Sequence, residues 1–279
     1  LLLGMVIFAR RRVMIALLPM CLQWPKPPQE LQLHFLPVGQ GDATLVSWPN
    51  GENWLFDSGP RSWQIVHYLR RKGIHHLEHL VLTHPHRDHL GSMHYIVEKL
   101  SVGTFWTSRS PLSDEEEYRQ LWTLLHQTSA VIAYPDELAP TGARIVHPRN
   151  NWIASKHKAN EESMVWRLTD GQLSALLTGD IQAAAELTLT PLMVQSDVLK
   201  VAHHGSSTSS SKKFVDAISP AVAVIQCGKD NRFGHPSSTT LENLHPARVF
   251  RTDLHGEVVV SHRSGRIVTN TAKPVLEIR

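Results

Sequence analysis

Cysteine is nearly absent from this 279-residue chain, which has only Cys21 and Cys227. Cys21 sits in an apolar stretch and Cys227 closes an apolar run. Neither a disulfide framework nor a thiolate metal site is supported, and cysteine does not reveal the compartment. Long apolar runs are also missing. Leu1–Ala9 is apolar, Arg10-Arg11-Arg12 interrupts it, and Val13–Leu22 is apolar again. Neither piece reaches the ~18–20 residues that span a bilayer. A secretory leader fits poorly, because no basic start is followed by a small-residue cleavage site. Strong charge of one sign is lacking as well. The net charge is +3 with histidines neutral, and the first thirty residues hold Arg10, Arg11, Arg12 and Lys26 against Glu30 alone. The remainder is near neutral, so any phosphate-binding surface must be local. No repeat and no long low-complexity tract is visible, and Ser206–Ser211 is short enough to be a loop.

What is present divides the chain in three. Residues 1–24 read as the truncated end of a membrane-embedded domain, with the arginines on the cytoplasmic side. A buried hairpin or amphipathic start is the alternative. Residues 25–30, with Pro25-Lys26-Pro27-Pro28, form a stiff linker. Residues 31–279 read as one globular domain. Strands are predicted at Leu31–Phe35, Ala43–Trp48, Trp54–Phe56, His79–Thr83, Arg144–Val146, Met164–Leu168, Leu173–Thr178, Val198–Ala202, Val222–Gln226, Glu257–Ser261 and Arg266–Asn270. Helices are predicted at Trp63–Arg71, Met93–Leu100, within 111–127, and at Ile181–Leu189. Strands interleaved with helices indicate an α/β fold layered around a large core.

Histidine is the unusual residue: all eighteen follow residue 30. Thr83-His84-Pro85-His86-Arg87-Asp88-His89 follows a buried strand and precedes a helix. His84 and His86, one residue apart on a turn, can point at one metal ion, and Asp88 with His89 can supply a second. Imidazole with carboxylate suits Zn²⁺, Mn²⁺ or Fe²⁺. Asp180 ends the strand of Leu177-Thr178-Gly179-Asp180. It either caps the following helix or bridges two ions, and beside the upstream motif the bridge is favoured. Asp88 and Asp180 are the candidate catalytic carboxylates. His203-His204-Gly205-Ser206 follows another buried strand. Either histidine can complete the second site, with His204 preferred. Ser206, Lys229, Arg232 and His235 are candidate phosphate contacts, and a solvated loop is the alternative for the 228–236 segment. Asp57, at a strand end, either orients a ligand histidine or simply forms a turn.

These residues together resemble the metallo-β-lactamase superfamily. A closer resemblance is to the C-terminal domain of the ComEC family of DNA-uptake channel proteins. It is carried by Val38-Gly39-Gln40-Gly41-Asp42, Thr178-Gly179-Asp180, His203-His204-Gly205-Ser206 and Gly234-His235-Pro236, and it covers nearly all of residues 31–279. One position departs from the wider superfamily. Where many members supply a further histidine to the first ion, this chain has Asn160-Glu161-Glu162-Ser163, with His157 nearby.

The resemblance implies a four-layer αββα sandwich, two divalent metal ions (Zn or Mn) and metal-assisted phosphodiester hydrolysis of DNA. It also implies a location at the bacterial inner membrane, with this domain on the extracytoplasmic side and other competence proteins as partners. The rival readings are a hydrolase of a small phosphodiester or lactam, and a non-catalytic module that guides DNA.

Overall fold

The computed structural model describes residues 26–108, 116–149 and 159–273. The apolar segments before residue 25, Cys21 and His157 lie outside the described residues. Two sheets form the body. The first has the order β14-β13-β1-β2-β3-β4-β5-β6 and the second β12-β11-β10-β9-β8-β7. In chain order the strands are β1 Gln32–Phe35, β2 Thr44–Ser47, β3 Asn53–Phe56, β4 His76–Leu82, β5 Ser101–Thr107, β6 Val131–Ala133, β7 Ala143–His147, β8 Val165–Thr169, β9 Ser174–Leu177, β10 Val198–Lys200, β11 Val222–Ile225, β12 Arg248–Arg251, β13 Val258–Arg263 and β14 Arg266–Thr271. The helices used below are α1 Gln64–Arg71, α2 Arg87–Leu90, α3 Met93–Lys99, α4 Glu116–Leu125, α5 Ala183–Glu186, α6 Pro191–Val194 and α7 Lys212–Ile218.

Alternation of side chains along the strands sorts the apolar residues into three cores, and three cores require four layers. Val46, Trp54, Phe56, Val81 and Trp106 of the first sheet join Trp166, Leu168, Ala175, Leu177 and Val224 of the second in the central core. Their neighbours Leu45, Leu55, Leu80 and Phe105 point the other way and pack with Leu69 of α1, Ile96 of α3 and Leu121 of α4. Leu176, Leu199, Ala223 and Ile225 form the third core with Phe214 and Ile218 of α7. The architecture is therefore an αββα sandwich, as anticipated.

Both sheets are mixed. β3, β4, β5 and β6 run parallel, as do β9, β10, β11 and β12. The carboxyl ends of these two parallel blocks lie at one edge of the sandwich, where the loops after β3, β4, β9, β10 and β11 meet. Ligand sites of open α/β sheets gather at such edges.

Several elements differ from the sequence reading. The single helix predicted at Ile181–Leu189 is only the short α5, and a separate short α6 begins at Pro191. Pro191 cannot continue a helix from residue 187 because it has no N–H to donate. β5, β6, β12 and α7 were not predicted. Ser211 caps α7, its hydroxyl accepting from Phe214 N at 3.3 Å.

Candidate metal centre

The His84–His89 segment leaves β4 and turns sharply into α2. Thr83 anchors the turn: its N–H and its hydroxyl each donate to the Asp57 carboxylate at 2.8 Å. The other oxygen contact of Asp57 is to His89 Nδ1, also 2.8 Å. Asp57 thus fixes the His89 ring so that Nε2 points away from β3. It does so from a left-handed backbone conformation, φ 55°, which non-glycine residues adopt at a cost of about 1–3 kcal/mol. Gly41 lies across from this turn with φ +143°, and a side chain there would meet Asp88 O at 2.3 Å. Glycine is required by that close approach, and it sets the next residue, Asp42, into the site.

From the second sheet, β9 ends at Leu177 and the turn that follows presents Asp180, whose N–H donates to Ser163 Oγ at 3.1 Å. β10 ends at Lys200 and runs into His203 and His204, both left-handed (φ 51° and 55°). Bonds on either side hold this unusual turn: His203 N donates to Gly179 O at 3.2 Å, and Ser206 N donates to His203 O at 2.9 Å. The outcome is that His204 points into the site, with Nδ1 donating to Gln226 O at 3.0 Å. Gln226 is itself fully engaged. Its amide donates to Ala43 O at 2.8 Å and accepts from Thr44 Oγ1 at 2.9 Å, tying β11 to the entry of β2.

Asp180 Oδ2 is the focus of the cluster. It lies 3.3 Å from His89 Nε2, 3.5 Å from His204 Nε2, 3.9 Å from His84 Nε2 and 3.9 Å from His203 Nε2. Asp88 Oδ2 lies 3.2 Å from His204 Nε2. His86 is exposed, and its Nδ1 stands 3.0 Å from His84 Nε2. Four overlapping donor groups result among the described residues: His84, His89 and Asp180; Asp88, His89 and His204; Asp42, Asp180 and His204; and Asp42, Asp57 and His89. Within each, the donor atoms lie within 4.8 Å of one another.

Burial and charge shape the titration of these groups. Burial, with help from the His89 charge, holds His84 well below the ordinary histidine value. Burial pulls His89 the same way, but Asp180 and Asp57 outweigh it and hold its proton on. His204 is pushed up to about 10: burial opposes this, and Asp180 and Asp42 overcome it. Burial pushes Asp180 upward, and His204 and His89 reverse that, leaving it ionised well below the usual carboxylate range.

A divalent ion fits this arrangement. The donors are imidazole and carboxylate, the set preferred by Zn²⁺ and Mn²⁺. In addition, His89 Nε2 and Asp180 Oδ1 are buried without a hydrogen-bond partner among the described residues. Such orphaned atoms are rare unless something else satisfies them.

The other predicted residues scatter. The His235 ring is 5.9 Å from that of His203 and stacks on Phe233. Ser206 is buried, with its hydroxyl 3.0 Å from Thr208 Oγ1. Lys229 is exposed, and the Arg232 guanidinium lies 4.9 Å over the Phe233 ring. Neither Lys229 nor Arg232 bonds to the His/Asp cluster. Asn160 Nδ2 is 3.3 Å from His203 Nε2, so the stretch that lacks a histidine still borders the site.

Sequence reasoning missed Lys200 and Glu161, and it quoted Asp42 only as the end of the Val38–Asp42 motif, with no role in the site. Lys200 is 3% exposed and forms an ion pair with Asp42. Its ammonium donates to Gly179 O at 2.9 Å and lies 3.8 Å from Asp180 Oδ1. Glu161 accepts from Ala185 N at 2.9 Å, holding the start of α5. A lysine inside an otherwise apolar strand was the available signal for Lys200.

Residues 36–229 match the family model described as the metallo-beta-lactamase superfamily. The chain is 27% identical to ComE operon protein 3 of Bacillus subtilis over 90% of its own length and 35% of that protein. It is 32% identical to Recombination protein 2 of Haemophilus influenzae over 87% of its own length and 30% of that protein. It therefore spans about a third of the curated relatives it matches. Among solved structures, the metallo-beta-lactamase fold protein YhfI from Bacillus subtilis superposes with a TM-score of 0.54 at 13% identity, covering 86% of this chain and 100% of that one. The chain belongs to the metallo-beta-lactamase superfamily, a family of metal-dependent hydrolase fold, and its curated relatives include ComEC-family competence proteins.

Proposed function

We propose that this domain is a metal-dependent phosphodiesterase that cuts DNA during its uptake into the cell. The observation that carries the reading is the convergence of four imidazole nitrogens on Asp180 Oδ2, at the strand ends of a metallo-beta-lactamase sandwich whose relatives include competence proteins. In this reading His84 and His86 would hold one ion, Asp88, His89 and His204 would hold the second, and Asp180 would be a carboxylate ligand common to both. Bound divalent ions supply Lewis-acid polarisation of a phosphoryl oxygen and activate water near neutral pH.

The chain's own residues do the rest. Asp57 aims His89, Gln226 O aims His204, and Lys200 with Asp42 fixes the floor beneath Asp180. His203 and His235 line the rim, where a phosphate oxygen would arrive. DNA is the partner in this proposal, a choice supported by the competence proteins among the relatives. Residues 1–24 attach the domain to the inner membrane in this proposal, on the extracytoplasmic side and beside other competence proteins. Among the described residues no helix is long and apolar enough to cross a membrane.

The test is incubation of the Zn- or Mn-loaded chain with linear DNA. DNA should be degraded, and His84→Ala and Asp180→Ala should abolish degradation. A chain that retains its ions but leaves single- and double-stranded DNA intact overturns the proposal.

A further inference from the structure

A second cluster of aromatic and basic side chains lies on the surface where α1 meets α3, carried by the loop that leaves Asp57. Trp63 stacks on Tyr95, ring centroids 3.9 Å apart and planes 26° from parallel, yet Trp63 remains 40% exposed. Arg61 Nε donates to Tyr95 Oη at 3.0 Å, with its guanidinium 5.5 Å from the Tyr95 ring centroid. Lys99 Nζ lies 5.8 Å from the Trp63 ring. An indole left this exposed, with a lysine ammonium near its ring and an arginine on its stacking partner, suits a planar ligand with a negative backbone.

The cluster is rigidly joined to the centre. Ser58 N donates to His89 O at 2.7 Å, Ser92 Oγ donates to Pro60 O at 2.7 Å, and Ser62 N donates to Ser92 Oγ at 2.9 Å. The loop carrying Arg61 is thus sewn to the segment carrying His89. Arg61 is four residues from Asp57, the partner of His89, which limits their separation to ~14 Å at 3.3–3.6 Å per residue. Arg87, inside the histidine motif, pairs with Glu117 at 3.5 Å on the same side. The surface also carries acid: Glu117 there, and Glu98 bonded to Lys99 at 2.7 Å. Net positive charge is therefore modest, so stacking rather than phosphate neutralisation would dominate binding. Duplex DNA hides its base faces, whereas a single strand presents them.

We propose that Arg61, Trp63, Tyr95 and Lys99 form a stacking platform for the bases of a single nucleic-acid strand, holding it beside the metal centre. The proposal rests on the phosphodiesterase reading for its biological sense, but not for its test.

The probe is a fluorescently labelled oligothymidylate of about a dozen nucleotides, within the span of known single-strand sites. Its binding to the full chain is measured by anisotropy in a chelator, so that no cleavage occurs. Trp63→Ala should weaken binding about tenfold, ~1.4 kcal/mol. Trp63→Phe, which keeps an aromatic face, should stay within about twofold of the parent. Equal binding by Trp63→Ala overturns the proposal, as does a loss in Trp63→Phe as large as that in Trp63→Ala. Hydrolysis of bis(p-nitrophenyl) phosphate by the metal-loaded chain separates the two readings, because that substrate is too small to need a platform. If no diester is cut but binding still depends on Trp63, the platform stands and the phosphodiesterase reading falls. If oligonucleotide is cut with an unchanged KM in Trp63→Ala, the platform falls alone.

Discussion

Lys200 and Asp42 form an ion pair buried between the two sheets, directly beneath Asp180. Lys200 reaches this place because β10 alternates: Val198 faces the central core, Leu199 the outer one, and Lys200 the centre again. Burial disfavours the charge on both partners. For Lys200, Asp42 and then Asp180 outweigh that penalty; for Asp42, Lys200 and then His204 do so. Removing one partner leaves the other charge uncompensated, which costs about 3–5 kcal/mol, whereas removing both costs much less. Lys200→Met should therefore unfold at clearly lower denaturant, and Asp42→Asn combined with Lys200→Met should recover part of the loss. Denaturant titration of the four proteins gives the coupling directly. Additive effects would show that the pair does not act as a unit.

Asp57 offers a sharper test of preorganisation. Its carboxylate accepts from Thr83 N, Thr83 Oγ1 and His89 Nδ1. Asn has one oxygen and cannot serve all three donors. Asp57→Asn should leave the fold in place and weaken metal affinity by about 10–100-fold, the usual effect of losing the group that orients a ligand histidine. Competition with a chromophoric chelator measures this. Unchanged affinity would make Asp57 only a turn residue.

Much of this centre was legible because its residues are close in sequence. Four donors fall between His84 and His89, and a single turn after β4 presents them. Asp180 and His204 could be placed because each ends a recognisable apolar strand. Lys200 and Asp42 were not legible for the opposite reason: their pairing requires β10 and the β1–β2 loop to meet across two sheets. A lone lysine in Val198–Ala202 flags a buried charge, but its partner cannot be named until that contact exists. β5 escaped for a related reason. Its Phe105 and Trp106 are buried on opposite faces, between β4 and β6, so it shows none of the alternation that marks a half-exposed strand. Asn160 needed the fold as well, since its place beside His203 depends on segments far apart in the chain.

Ion binding should appear as stability. Ions that bind only the folded chain stabilise it by ~2.7 kcal/mol at a hundredfold excess over Kd. For a domain of this size that raises Tm by about 5–10 °C. Adding a chelator to the Zn-loaded chain should produce a drop of that order, and the drop should nearly vanish in Asp180→Ala, whose Oδ2 all four imidazoles share. A chelator effect as large in Asp180→Ala as in the parent would remove Asp180 from the ligand set.

A separate ionic cluster contributes to the acid sensitivity of the fold. Glu257 accepts from Tyr68 Oη at 2.5 Å and contacts His34 Nδ1 at 3.0 Å and Lys72 Nζ at 3.9 Å. Burial pushes its carboxyl upward, but the bonds from His34 and Tyr68 and the Lys72 charge outweigh this and bring it down to about 2 from 4.5. The folded chain then binds fewer protons here than the unfolded chain. The stabilisation is complete above about pH 4.5 and is lost as pH falls toward about 2. His34 acts in the same direction from a higher pH, because burial holds it below 6.5 and the unfolded chain takes up that proton first. Glu257→Gln should therefore be less stable than the parent at neutral pH, with the gap narrowing as pH drops below 4.5. Thermal melts of both proteins across that range test this. A gap that stays constant with pH would mean that Glu257 contributes packing and hydrogen bonds, but no titrating charge.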